Sequence, residues 1–154
     1  MEINDLINPD CVVGALRSPS KKQALQELAH RAAEITGIHE RTIFDVLLER
    51  ERLGTTGVGK GVAIPHGKLA DLDGLYGLFA RLEEPIDFDA VDDEPVDLIF
   101  LLLAPEAAGA DHLKALAKIS RVLRSGALCE KLRRAEDADA IYRILTADSA
   151  SRAA

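Results

Sequence analysis

Pro95-Val96-Asp97-Leu98-Ile99-Phe100-Leu101-Leu102-Leu103-Ala104-Pro105 is the stretch on which the fold turns. Between the two prolines only Asp97 is polar. A half-exposed strand alternates apolar and polar side chains. This run does not, so it predicts a central strand covered on both faces. Such a strand needs neighbours in its sheet and helices packed over it. Downstream, Asp111 is placed to cap a helix over 112–124, with Leu113, Leu116, Ala117, Ile119, Val122 and Leu123 inward. Ser125-Gly126 breaks that helix, and shorter ones follow over 127–134 and 138–145. Upstream, residues 83–95 form an acidic connection bounded by prolines. Before it, residues 75–82 alternate and read as a second strand.

The N-terminal half supplies the covering helices. Ile3, Leu6 and Ile7 suggest a short helical turn, ended at Asn8-Pro9-Asp10, and Cys11-Val12-Val13 a short strand. Ser20 and Gln23 form a capping box. Behind it Ala24, Leu25, Leu28, Ala29, Ala32 and Ile35 recur at helical spacing until Gly37. A second helix runs from His39 to Leu53, with Ile43, Phe44, Val46, Leu47 and Leu48 on its apolar face. Its last turn, Glu49-Arg50-Glu51-Arg52, brings two arginines towards Gly54. Helices and strands interspersed around one buried strand make a layered α/β domain, spanning 1–147, with 148–154 a frayed tail.

A chain of 154 residues suits one domain with a real core. Without tryptophan, and with two tyrosines and four phenylalanines, that core is aliphatic. The net charge of −7 argues against nucleic acid as a partner, since a phosphate backbone wants a basic stripe. No apolar run is long enough for a membrane helix, and the first residues do not read as a signal peptide. Cys11 and Cys129 form no spaced motif and are expected reduced and buried, in a cytoplasmic protein.

The chemistry concentrates between Gly54 and Lys68, Gly-Thr-Thr-Gly-Val-Gly-Lys-Gly-Val-Ala-Ile-Pro-His-Gly-Lys. Five glycines in fifteen residues imply tight turning or close approach of backbone N–H groups to a ligand. The run ends in Ile64-Pro65-His66-Gly67, a stiff platform for one imidazole. Alone, a histidine in a turn usually serves structure. Here glycine N–H groups, Arg50, Thr55 and Thr56 lie nearby in sequence and can stabilise phosphoryl oxygens. His112 falls just past the C-terminal end of the buried strand, at a helix start, where anions bind in open α/β sheets. His66, His112 and Asp111 are also a metal-ligand candidate, weakened by the wide separation of the histidines. His30 and His39 read as surface residues. The glycines match neither a Walker loop nor a dinucleotide fingerprint, and no cofactor is expected.

Residues 53–68, the run 95–105 and Asp111-His112-Leu113 resemble enzyme IIA domains of the mannitol/fructose type, in the phosphoenolpyruvate-dependent phosphotransferase system. The similarity runs from about Ile3 to Leu145. It implies a mixed β-sheet packed by helices, the mannitol-type enzyme IIA fold. It implies a phosphoryl group accepted from a phosphorylated HPr-like carrier. His66 matches the acceptor, His112 the second active-site histidine and Arg50 an arginine near the phosphate. Thr56, Gly57, Gly59 and Gly67 are expected to line the phosphate site on the physical grounds above. With no membrane span or second domain, the chain resembles the free-standing nitrogen-regulatory branch. That branch implies regulation by phosphorylation state of targets such as potassium-transport regulators or sensor kinases. Lys60 adds a cation beside this site. The competing readings are a sugar-specific component that passes phosphate to a IIB domain, a non-enzymatic binding regulator and a metal-binding domain.

Overall fold

The computed structural model describes residues 1–153, with side chains described through residue 147. The central strand is where the sequence puts it. β6, Val96–Pro105, is buried from Leu98 to Ala104, and Asp97 is its half-exposed exception. On one side it pairs antiparallel with β5, Tyr76–Ile86. β1, Val12–Leu16, lies parallel to β5 beyond it. On the other side β6 pairs parallel with β3, Val62–Ala63, and then with β4, His66–Leu69. β2, Gly57–Gly59, closes that edge antiparallel to β3. The sheet is therefore mixed, in the order β1-β5-β6-β3-β2, with β4 on β6.

β3 and β4 are one line of chain interrupted at Ile64-Pro65. Val62 and Ala63 register with Leu98 and Ile99, and His66 resumes opposite Leu102. Pro65 has no N–H to give, but its carbonyl still accepts from Leu102 N–H at 3.0 Å. His66 is thus the first residue of a strand rather than part of a free turn.

Five helices flank the sheet. α1, Lys21–Thr36, and α2, Glu40–Arg52, pack on each other, α1 reaching β5 and α2 reaching β4. Ser20 Oγ accepts from Gln23 N–H at 3.2 Å, and Gly37 at φ 77° ends α1. The reciprocal half of the capping box is absent, because Gln23 Oε1 accepts from the Ser20 hydroxyl instead. α3, Ala110–Leu123, lies against β6, α4, Gly126–Arg134, follows, and α5, Ala138–Ala153, packs on β1. The fraying expected at 148–154 lies outside the residues whose side chains are described.

Further expectations change, and α5 reaches Ala153 rather than ending at Leu145. β5 runs to Ile86 instead of ending at Leu82, and its pairing shifts between Arg81 and Ile86, where Pro85 lacks a donor. It is buried on both faces from Gly77 to Ala80, because β1 and β6 flank it and helices cover it. Asp111 does not cap α3. Gly109, at φ 54°, precedes the helix, with no side-chain cap. The inner face of α3 differs in part: Ile119, Val122 and Leu123 are buried and Leu116 packs on the core as expected, but His112 and Ala115 face inward in place of Leu113, which is 67% exposed, and Ala117. Lys118 can sit on the inner face because its ammonium pairs with Glu2 at 3.2 Å. Among the described residues, no helix is long and apolar enough to cross a membrane.

Candidate active site

His66 is fixed from two directions. Its Nδ1 lies 2.9 Å from the Ile64 carbonyl, which can only accept, so Nδ1 carries the proton. The lone pair is then on Nε2, where Arg50 Nε donates at 3.3 Å. Arg50 is held in turn, since its Nη1 donates to the Gly54 carbonyl at 2.8 Å. The last turn of α2 thereby both orients the imidazole and shapes the loop after it. Arg52 faces away and pairs with Glu49 in solvent, so the helix delivers one arginine rather than two.

His112 comes in from α3. The two rings stand 5.7 Å apart, inclined by 58°. His112 is 7% exposed, and its buried Nδ1 has no hydrogen-bond partner among the described residues. Burial lowers the pKa of both histidines below the ordinary imidazole value. For His66, Arg50 lowers it further, while the Ile64 bond and Glu51 oppose the shift. For His112, proximity to His66 and then Lys68 adds to burial. Both rings are therefore neutral at pH 7, as a nucleophile and its neighbour should be.

A cleft of about 230 Å³ opens in front of His66, between Arg50, Thr56, Val58, Leu116 and Ser120. A larger hollow of about 400 Å³ lies at Asn8, Cys11 and Arg31, but neither histidine lines it. Among the described residues no three His, Cys, Asp or Glu side chains converge as a metal ion needs, and Asp111 is exposed.

The structure brings His66, His112, Arg50 and Thr56 to one place. The glycines do something else. A Cβ on Gly67 would lie 2.5 Å from Val46 Cγ1, and one on Gly57 would lie 2.9 Å from Ala90. Gly67 lets α2 close on β4, and Gly57 lets the acidic connection close on the loop. Gly57 N–H is already donated to Thr55 Oγ1 at 3.0 Å, and Thr56 N–H to Glu51 at 3.0 Å. Gly59 faces Asp92. The N–H groups of Thr56 and Gly57 are thus already taken. Lys60, at φ 57°, is the tip of the β2–β3 turn, pinned by Asp92 on its N–H and Arg133 on its carbonyl. The acidic connection is therefore a buttress as well as a solvated surface.

Two residues at this site went unread in the sequence. Glu51 is 8% exposed inside a run of charges that looks solvated, and Lys21 pairs with it at 3.1 Å. The spacing Ile43, Leu47, Glu51 continues the buried stripe of α2, which was the available signal.

Residues 5–148 match the family described as "Phosphoenolpyruvate-dependent sugar phosphotransferase system, EIIA 2". A nitrogen regulatory protein of Bradyrhizobium diazoefficiens is 61% identical over 99% of this chain and 100% of its own length. Among solved structures, nitrogen regulatory protein IIA-Ntr of Neisseria meningitidis superposes with a TM-score of 0.89 at 36% identity, covering 94% of this chain and 99% of that one. The mannitol IIA of Escherichia coli shares the fold, with a TM-score of 0.76 at 17% identity over 90% of this chain and 98% of its own. The chain belongs to the EIIA 2 family and is a phosphotransferase component of the phosphoenolpyruvate-dependent system.

Proposed function

We propose that this protein is a nitrogen-regulatory IIA component that accepts a phosphoryl group on His66 Nε2 from a phosphorylated HPr-like carrier. The observation that carries this is the Nδ1–H bond to the Ile64 carbonyl, which leaves the Nε2 lone pair facing Arg50. In the transfer, Arg50 Nε releases Nε2 to bond a phosphoryl oxygen, and the freed Nε2 lone pair attacks the phosphorus of the donor phosphohistidine in line. A new N–P bond forms as the donor's N–P bond breaks. The bonding pair returns to the donor ring, which leaves as neutral imidazole if its other nitrogen is protonated. The proton on His66 Nδ1 stays with Ile64 throughout. Arg50 and His112 stabilise the three phosphoryl oxygens, and no step requires a metal ion. Donor and acceptor are both imidazoles, so the reaction is reversible.

Phosphorylation places about −2 of charge in a cleft lined by exposed Val58. A partner that fits the uncharged face meets an anion in the phosphorylated one. That is the basis for regulating targets, of which potassium-transport regulators and sensor kinases are the expected kinds. The test is incubation with phosphoenolpyruvate, the first enzyme of the system and an HPr-like carrier. Wild type should gain the mass of one phosphoryl group and His66→Ala should gain none. An equally labelled His66→Ala would sink the reading. Fast onward transfer to a sugar IIB domain would replace the regulatory role with a sugar-specific one.

A further inference from the structure

Lys21 and Glu51 both stand where their own helices disfavour them. Lys21 is the first residue of α1, at the positive end of the helix dipole. Glu51 is in the last turn of α2, at the negative end. Local propensity therefore explains neither. What explains both is their meeting: Lys21 Nζ lies 3.1 Å from Glu51 Oε1, and the Glu51 side chain is 4% exposed.

Glu51 uses its remaining capacity on the loop. Oε1 accepts the Thr56 N–H at 3.0 Å, and Oε2 accepts the Thr56 hydroxyl in a short contact. Thr56 is buried in the wall of the His66 cleft. Arg50 and Glu51, adjacent on α2, thus tether both ends of the 54–56 turn. Lys21 also sits 4.8 Å over the Phe88 ring and 3.7 Å from Asp89, while Thr55 Oγ1 donates to the Phe88 carbonyl. The cluster joins α1, α2, the loop and the acidic connection behind the site.

A carboxylate holding the wall of a site that takes a phosphoryl dianion is electrostatically wrong unless something cancels it. We propose that Lys21 is a positioning residue for phosphoryl transfer at His66: through Glu51 it fixes Thr56 in the cleft wall and neutralises the carboxylate that would oppose the arriving anion. This rests on the phosphotransfer reading above. Lys21 is on the far side of Glu51 and acts through it. The charged or titratable groups that bear on His66 are Arg50 and Glu51 from α2 and His112 from α3, with Lys68 of β4 acting on His112.

The experiment is an NMR pH titration of the His66 ring in full-length wild type, Lys21→Met, Glu51→Gln and the double variant. Phosphorylation of each by the carrier system is measured in parallel. Lys21→Met leaves Glu51 uncompensated, so the His66 pKa should rise by about 0.5 and the phosphorylated fraction fall several-fold. Glu51→Gln should lower the pKa, and the double variant should return close to wild type. Shifts of the same sign in both single variants would show mere loosening and overturn the proposal. So would a folded Lys21→Met with an unchanged titration, or one that labels as fully as wild type. If Lys21→Met does not fold, Glu51→Gln and the double variant still test the sign and the restoration. Unlabelled wild type would overturn the phosphotransfer reading itself, a result distinct from the titration.

Discussion

At the scale of single residues, the site works through protons that are placed before any substrate arrives. His66 is committed to one tautomer by its own backbone, and His112 is left with a buried nitrogen unpartnered among the described residues. Replacing His112 with Gln keeps a polar side chain of moderate size but removes the ring. It should slow phosphorylation by about 100-fold while the circular dichroism spectrum is unchanged. The buried imidazoles also give a pH signature. Their folded pKa values are depressed below the ordinary value of about 6.5. The folded protein then binds fewer protons than the unfolded chain just below that value. Their contribution to stability is whole above pH ~6.5 and is lost as pH falls through the folded values. The urea midpoint should drop between pH 7 and 5, and His66→Gln/His112→Gln should flatten that drop. His30, raised by exposed Glu40, acts in the opposite sense but is screened by solvent. In the sequence His66 was legible from Ile64-Pro65-His66-Gly67, and Arg50 from its place at the end of α2. The hydrogen bonds that choose the tautomer were not, because they depend on the break at Pro65 that starts β4.

At the scale of elements, helix phase and close approach set the geometry. Ile119, Val122 and Leu123 of α3 are buried as the pattern implies, but Leu113 and Ala117 are not, because apolar residues alone did not fix its inner face. Tertiary pairing chose the phase that buries His112 and Lys118, and the latter required Glu2 from the far N-terminus. No local pattern carries that information. The extra length of β5 was hidden for a related reason, since Glu83, Glu84 and Pro85 look like a connection until a partner strand is present. Gly67 tests the element scale directly. Gly67→Ala should cost about 1–3 kcal/mol in denaturant unfolding, because its methyl group would strike Val46. Val46→Ala in the same chain should recover part of that loss, giving a non-zero coupling in a double-mutant cycle. Additive losses would mean that α2 and β4 do not meet through this contact.

At the scale of the whole molecule, the unalternating run Val96–Ala104 was sufficient to announce a covered sheet, and the helical repeats to announce its cover. The strand order was not legible, because β2, β3 and β4 are two to four residues long and too short to show a period. One long-range tie holds the far side of the sheet. The Arg81 guanidinium of β5 donates to the carbonyls of Gly14, Leu132 and Ala135, joining β1 to the end of α4. Arg81→Met keeps most of the stem but removes these donors, and should cost about 2–3 kcal/mol by urea denaturation. Phosphorylation of the folded variant should be unchanged, since the tie does not touch the His66 cleft.

Nitrogen-15 NMR of phosphorylated, histidine-labelled protein reads which ring nitrogen carries the phosphoryl group. A phosphorus-coupled signal is expected on Nε2 of His66, with Nδ1 still protonated towards Ile64. Coupling on Nδ1, or on a ring of His112, would contradict this assignment.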